Sequence, residues 1–119
     1  MTLGHLAQSL GLENLTPDLA VEGTDVERAH ASDLLSDVLA NAPTGGVLLT
    51  IQVHMNVIAV AVHAGLAAVV FTSDMRPDDS VRQKAVKEGI LLLATHLSTF
   101  DAAGQLYALG LRGREQGRA

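Results

Sequence analysis

Residues 46 to 71 read GVLLTIQVHMNVIAVAVHAGLAAVVF, and this stretch decides the fold. It begins with an apolar run of strand length, Gly46 to Ile51, and ends with a second one, Leu66 to Phe71. Between them, His54 to Ala64 has the length of a helix. Strands that are apolar on both faces and alternate with helices form mainly parallel sheets covered on both sides. The stretch therefore predicts an α/β fold, with three α/β/α layers around a mainly parallel sheet.

Capping residues and glycine stops predict further helices on both sides of this stretch. These helices run from Thr2 to about Leu10, from Asp33 to Asn41 behind a Ser32 cap, from Pro77 to Gly89, and from Ser98 or Thr99 to about Leu109. Short apolar runs predict extended segments at Leu19 to Val21, Val26 to His30 and Ile90 to Ala94.

No Asp, Glu, Lys or Arg occurs in the 36 residues between Asp37 and Asp74. A membrane helix needs roughly 20 apolar residues, so length alone would allow one. Pro43 and the glycines after it interrupt the run, and polar side chains continue through the rest, namely Gln52, His54, Asn56 and His63. We therefore interpret the segment as the buried core of a soluble domain and expect no membrane association.

The composition excludes several classes of protein. The chain has 119 residues and no cysteine, so disulfides, thiolate metal sites and a cysteine nucleophile are excluded. A formal net charge of −5 argues against a protein that coats nucleic acid phosphates or anionic membranes. The N-terminus lacks the basic start and apolar run of a secretory signal, which predicts a cytoplasmic protein.

The length predicts one domain, over residues 1–110, followed by a basic, flexible tail over residues 111–119 that contains three arginines. The helix from His54 to Ala64 is apolar around nearly its whole circumference, which is typical of a central helix or of a helix in a subunit interface. Because so short a chain has little room for a central helix, we expect a homodimer.

Polar residues gather where the predicted parallel strands end. At that edge of a sheet the N-termini of helices also converge, so it is the usual place for a ligand. The segment from Thr50 to Asn56 has polar groups at alternating positions within an apolar stretch, which exceeds what one helix cap requires. A nucleotide or another small anionic ligand would suit this edge. The candidate ligand-binding residues are Asp33, Thr50, Gln52, His54, Asn56 and Thr95.

Two structural roles are also open to these residues. Ser, Thr and Asp cap helices, and the Thr50 to Asn56 side chains could instead satisfy one another across a dimer interface. No two histidines have i, i+4 spacing and no metal-binding or paired-carboxylate motif occurs, so we predict neither a metal nor a cofactor. The glycine pair Gly45-Gly46 precedes a strand, unlike a phosphate-binding loop, and no nucleophile elbow occurs. We predict no catalytic residue.

Several segments resemble the DRTGG domain family. The most specific are Ser32-Asp33-Leu34-Leu35-Ser36 and the Thr-Ile-Gln-x-His-x-Asn pattern of Thr50 to Asn56. Gly89-Ile90 and the segment from Ser98 to Gly110 are similar to the C-terminal half of that family, so the resemblance covers about residues 1–110. Residues 23–30 depart from the glycine-containing pattern after which the family is named. The resemblance implies a fold like the N-terminal domain of HPr kinase/phosphorylase.

In that family the domain occurs alone and as an accessory module of phosphotransacetylases and regulated inorganic pyrophosphatases. The resemblance therefore implies a stand-alone regulatory or ligand-sensing domain without catalysis. One alternative is a module for dimerisation or for binding a protein partner, without a ligand. A further alternative is a hydrolase or transferase that uses His54 as a general base.

Overall fold

The structure is a computed structural model and describes residues 1–114. It contains five helices and five strands within that range. The helices are α1 (Leu3–Leu10), α2 (Leu35–Asn41), α3 (Asn56–Ala64), α4 (Asp79–Glu88) and α5 (Thr99–Ala108). The strands are β1 (Glu13–Asn14), β2 (Ala29–Ala31), β3 (Val47–Thr50), β4 (Ala68–Phe71) and β5 (Leu91–Ala94).

The strands form one sheet in the order β1-β5-β4-β3-β2. β2, β3, β4 and β5 are parallel to one another, whereas the two-residue β1 is antiparallel to β5. Every residue of β3, β4 and β5 is buried, as expected for strands covered on both faces. The predicted α/β class and the mainly parallel sheet are thus confirmed.

Alternate residues of each strand enter two separate cores, because successive side chains point to opposite faces of a sheet. Leu48, Val69 and Leu92 pack in the core beneath α2, α3 and α4. Val47, Val70 and Leu93 pack in the core beneath α1 and α5. The sheet is therefore the middle of three layers, with three helices on one face and two on the other.

The apolar composition of α3 follows from its position in the layer of three helices. The helix packs against α2 on one side and α4 on the other, and Val57, Ile58 and Ala61 are fully buried. Only part of its outer surface is exposed, including Val62. A chain of this length does have room for a flanked helix, so the apolar surface of α3 does not require a second subunit. The homodimer itself stays a prediction.

Three helices begin later than the sequence predicts, and one of them is α3, which begins at Asn56 instead of His54. α2 begins at Leu35, because the Ser32 hydroxyl accepts a hydrogen bond from the Leu34 N–H (3.2 Å) and closes a turn before the helix. α4 begins at Asp79, where the Asp78 carboxylate accepts from the Val81 N–H (3.1 Å) and acts as the cap, so Pro77 lies outside the helix. Leu19 to Val21 forms no strand.

The predicted tail begins with residues that contact the domain. Leu111 is buried, and Arg112 forms a parallel bridge with Arg28 at the outer edge of β2. The Ala29 N–H donates to the Arg112 carbonyl (2.9 Å), and the Arg112 N–H donates to the Glu27 carbonyl (3.1 Å). Residues 115–119 lie outside the described residues, and the boundary at residue 110 stays a prediction.

None of the helices within residues 1–114 has the length and apolarity that crossing a bilayer requires.

The edge strand β1 is attached through a buried threonine. The Thr16 hydroxyl accepts from the Leu92 N–H (3.1 Å), and the Leu15 N–H donates to the Leu92 carbonyl (2.9 Å).

Thr16→Val keeps the shape of the side chain but leaves the Leu92 N–H without an acceptor, so we expect a loss of about 1–3 kcal/mol in the free energy of unfolding. Urea unfolding measures it, with the exposed Thr44→Val as the matched control. Equal stability of the two variants would contradict this role.

Candidate functional site

The candidate site lies at the edge where the four parallel strands end. The loops that follow β2, β3, β4 and β5 converge there, as the sequence predicts for a parallel sheet. All six predicted site residues belong to these loops or to residues beside them. The hydrogen bonds divide five of the six into a supporting group and an open group, and Thr95 belongs to neither.

Asp33 and Thr50 form the supporting group. The buried Thr50 hydroxyl donates to the Asp33 carboxylate (2.9 Å), and the Ile51 N–H donates to the same oxygen (2.8 Å). The Thr50 hydroxyl also accepts from the Gln52 N–H (3.0 Å). The structure brings these residues together at the sheet edge where the sequence predicts them. Their contacts hold the β3–α3 loop, residues 51–55, against the loop after β2.

His54 caps α3 from within that loop. Its Nδ1 accepts a hydrogen bond from the Asn56 N–H (3.1 Å), so the neutral ring carries its proton on Nε2. The Val57 N–H donates to the His54 carbonyl (3.0 Å). Met55, at the cap position itself, makes no side-chain hydrogen bond to the helix. The Nε2 side of the exposed ring is left for another partner.

Gln52, His54 and Asn56 form the open group. Gln52 is half-buried and Asn56 is exposed. Among residues 1–114 the side-chain amides of Gln52 and Asn56 have no hydrogen bond, and neither has His54 Nε2. Within five residues, a loop fixed at its base therefore offers two amides and an imidazole N–H to solvent.

Thr95 does not join this group. It is buried, and its hydroxyl accepts from the Leu97 N–H (3.1 Å) to shape the loop after β5. Because β4 lies between β3 and β5, Thr95 is two strands from Thr50, or about 10 Å at the usual strand spacing. Its contacts are those of a structural residue.

The loop after β4 contains two residues in the left-handed region, Ser73 (φ 57°) and Asp74 (φ 60°). This conformation is uncommon for residues other than glycine and costs of order 1–3 kcal/mol each. The Ser73 N–H donates to the Leu97 carbonyl (2.7 Å) and the Asp74 N–H to the Thr95 carbonyl (3.1 Å), which holds the loop in place. Sequence reasoning missed this feature, since Ser-Asp predicts only a turn.

A second feature missed by sequence reasoning joins β2 to α2. His30 Nε2 lies 2.8 Å from an Asp37 oxygen, and the Asn41 amide donates to the other oxygen of that carboxylate (2.8 Å). The hydrogen bonds from Asn41, His30 and Ser32 lower the pKa of Asp37 from 3.8 to about 2. The i, i+4 spacing of Asp37 and Asn41 signals one half of this cluster, but no local pattern signals His30.

The edge carries more negative than positive charge. Asp33 and Asp74 lie in its loops, and the nearby Arg76 is already engaged by Glu13 (3.0 Å) and Asp74 (3.7 Å). Within residues 1–114 no three His, Asp, Glu or Cys side chains are arranged to hold a metal ion. The arrangement therefore offers hydrogen bonds to a ligand and little positive charge.

The support that Asp33 gives to the β3–α3 loop can be tested directly. Asp33→Ala removes the acceptor of the Ile51 N–H, so we expect hydrogen exchange at that amide to accelerate about tenfold or more. NMR exchange measurements check this, with the exposed Asp18→Ala as the matched control. Unchanged protection of Ile51 in the Asp33 variant would contradict the assignment.

The Asp37 cluster predicts a pH dependence of stability. A carboxyl group whose pKa is lower in the folded chain stabilises the fold above its unfolded value of 3.8, and this contribution is lost as the pH falls towards 2. Asp37→Asn should thus be less stable than the native chain near neutral pH, and the difference should shrink between pH 4 and pH 2. Unfolding across a pH series measures it, and a constant difference would refute the linkage.

The fold has a counterpart among solved structures. No protein-family model matches the chain, and neither does any curated protein. The structure is similar to that of the CBS and DRTGG domains of the regulatory region of a Clostridium perfringens pyrophosphatase, in complex with its activator, diadenosine tetraphosphate. The TM-score is 0.66 at 14% sequence identity, over 87% of this chain and 44% of that chain.

This chain therefore spans less than half the length of its structural neighbour. At such low identity the likeness concerns the fold. It supports the DRTGG-like α/β fold that the sequence resemblance implies, whereas membership of the family stays a prediction.

Proposed function

We propose that this chain is a non-catalytic regulatory domain that senses a small ligand at the β3–α3 loop. The observation that carries the proposal is the open group of Gln52, His54 and Asn56, whose side chains are presented by a loop that Asp33 holds in place. The buried hydroxyls of Thr50 and Thr95, in contrast, are used by internal hydrogen bonds.

The structural neighbour supports a nucleotide as the class of ligand. That protein is a regulatory region, and it was solved with an activator that is a dinucleotide. Amides such as those of Gln52 and Asn56 both donate and accept, so they match the edge of a nucleobase or the hydroxyls of a ribose. We therefore assign to the open group the recognition of an adenine nucleotide through its nucleoside part.

The charge at this edge determines how the phosphates contribute. Asp33 and Asp74 repel added negative charge, and Arg76 is already paired. Binding should consequently depend on the nucleoside, and phosphates that lie near these carboxylates should weaken it at low salt. A homodimeric state and a cytoplasmic location remain parts of the proposal.

Calorimetry with adenosine, AMP, ATP and diadenosine tetraphosphate tests the proposal. The native chain should bind at least one of them, with ATP gaining affinity as salt screens the acidic edge. Asn56→Ala should lose about tenfold in affinity, because one amide is removed while the backbone N–H that His54 caps is kept. Gln8→Ala, an exposed amide on α1, is the control.

Absence of binding by the native chain to all four compounds would overturn the nucleotide assignment. Equal affinity of the Asn56 and Gln8 variants would overturn the location of the site.

A further inference from the structure

The outer face of α5 carries an unusual concentration of the aromatic residues of this protein. The chain has three aromatic residues, and one of them, Phe71, is fully buried in the core. The other two, Phe100 and Tyr107, are 87% and 60% exposed on α5. Large exposed aromatic side chains are typical of contact surfaces between proteins.

The two aromatic residues lie on one side of the helix. They are seven residues apart, which is about two turns, so both project from the same face. Ala102 and Leu106 lie on the opposite face of the helix and are buried. Gly104 lies between the aromatic residues and is exposed, and a Cβ added there would meet no atom within 4 Å. A neighbouring helix could therefore approach closely at the middle of this face.

Opposite charges occupy the two ends of the same face. The exposed Asp101 lies in the first turn of α5, next to Phe100. At the other end the Arg112 guanidinium lies 3.7 Å from the centre of the Tyr107 ring. It also donates to the carbonyls of Tyr107 (3.0 Å) and Leu111 (2.7 Å), which fixes its position at the end of the helix.

We propose that a second copy of this chain docks on this face, with the two α5 helices antiparallel about a twofold axis near Gly104. Phe100 then packs on the partner's Tyr107, and Asp101 faces the partner's Arg112. Both contacts occur twice, because a twofold interface uses the same surface on each subunit. The face carries opposite charges at its two ends, Asp101 and Arg112, which pair when the same face meets itself in the antiparallel arrangement. This favours another copy of the chain over an unrelated protein.

The outer face of α3 is less suited to this contact. Its exposed residues include Ala59, Val62 and His63. Among these three, only the His63 imidazole is an aromatic ring. α5 packs on the other side of the sheet from α3, against β2, β3 and α1. A dimer through α5 thus leaves the β3–α3 loop accessible, and this inference goes beyond the proposed ligand sensing.

Cross-linking tests the geometry, because the chain has no native cysteine. Gly104→Cys should form a disulfide-linked dimer under mild oxidation, since two thiols next to a twofold axis come within bonding distance. Val62→Cys, at an exposed position of α3, is the control and should stay monomeric on a non-reducing gel. Cross-linking at position 62 and none at position 104 would overturn the proposal in favour of α3.

Light scattering tests the association itself. At about 100 µM the native chain should be a dimer, since small interfaces have dissociation constants of roughly micromolar order. The double variant Phe100→Ser, Tyr107→Ser should be a monomer with an unchanged circular dichroism spectrum, whereas Leu39→Ser, which removes an exposed leucine of α2, should stay dimeric. A monomeric native chain, or a double variant that stays dimeric, would overturn the proposal. Neither result affects nucleotide binding by calorimetry. The ligand-sensing part of the proposed function is therefore tested separately, whereas its homodimeric part shares this test.

Discussion

A parallel sheet that is covered by helices on both faces leaves only its strand ends and its edge strands in contact with solvent. β3, β4 and β5 are buried at every residue, so the polar side chains next to these strands lie at the strand ends or in the loops that follow them. A buried polar group costs free energy unless it finds a partner, which explains why Thr50 and Thr95 both complete hydrogen bonds there. The candidate site and the strained turn at Ser73 and Asp74 lie at the same end of the sheet for this reason.

The parts of the fold that the sequence predicts are those that depend on local pattern. Apolar runs bounded by turns predict β3, β4 and β5, and the Thr2 and Ser98 caps predict the starts of α1 and α5. Parallel topology then places Asp33 and Thr50 at one edge. The sequence pattern does not predict β1, because Glu13-Asn14 has no apolar signal. This strand is held by hydrogen bonds between Leu92 and the two residues that follow β1, Leu15 and Thr16.

The division of the site into supporting and open residues was beyond the sequence, because it depends on partners distant along the chain. Asp33 and Thr50 are 17 residues apart, and only the folded geometry shows that their side chains form a hydrogen bond with each other. The surfaces that α3 and α5 expose were also difficult to predict from the sequence. An apolar helix indicates burial without indicating whether helices of the same chain supply it, and an alanine-rich helix such as α5 does not reveal which side faces the core.

The bridge between Arg112 and Arg28 has a consequence for the solubility of the fold. β2 is an edge strand, and its unpaired backbone groups are a template on which a strand of another molecule could form. By accepting the hydrogen bond of the Ala29 N–H, the Arg112 carbonyl occupies part of that template from within the same chain. A chain that ended before Arg112 would present this part of β2 uncovered and would be more prone to aggregate through its backbone. The last described residues thus protect the sheet from unwanted pairing.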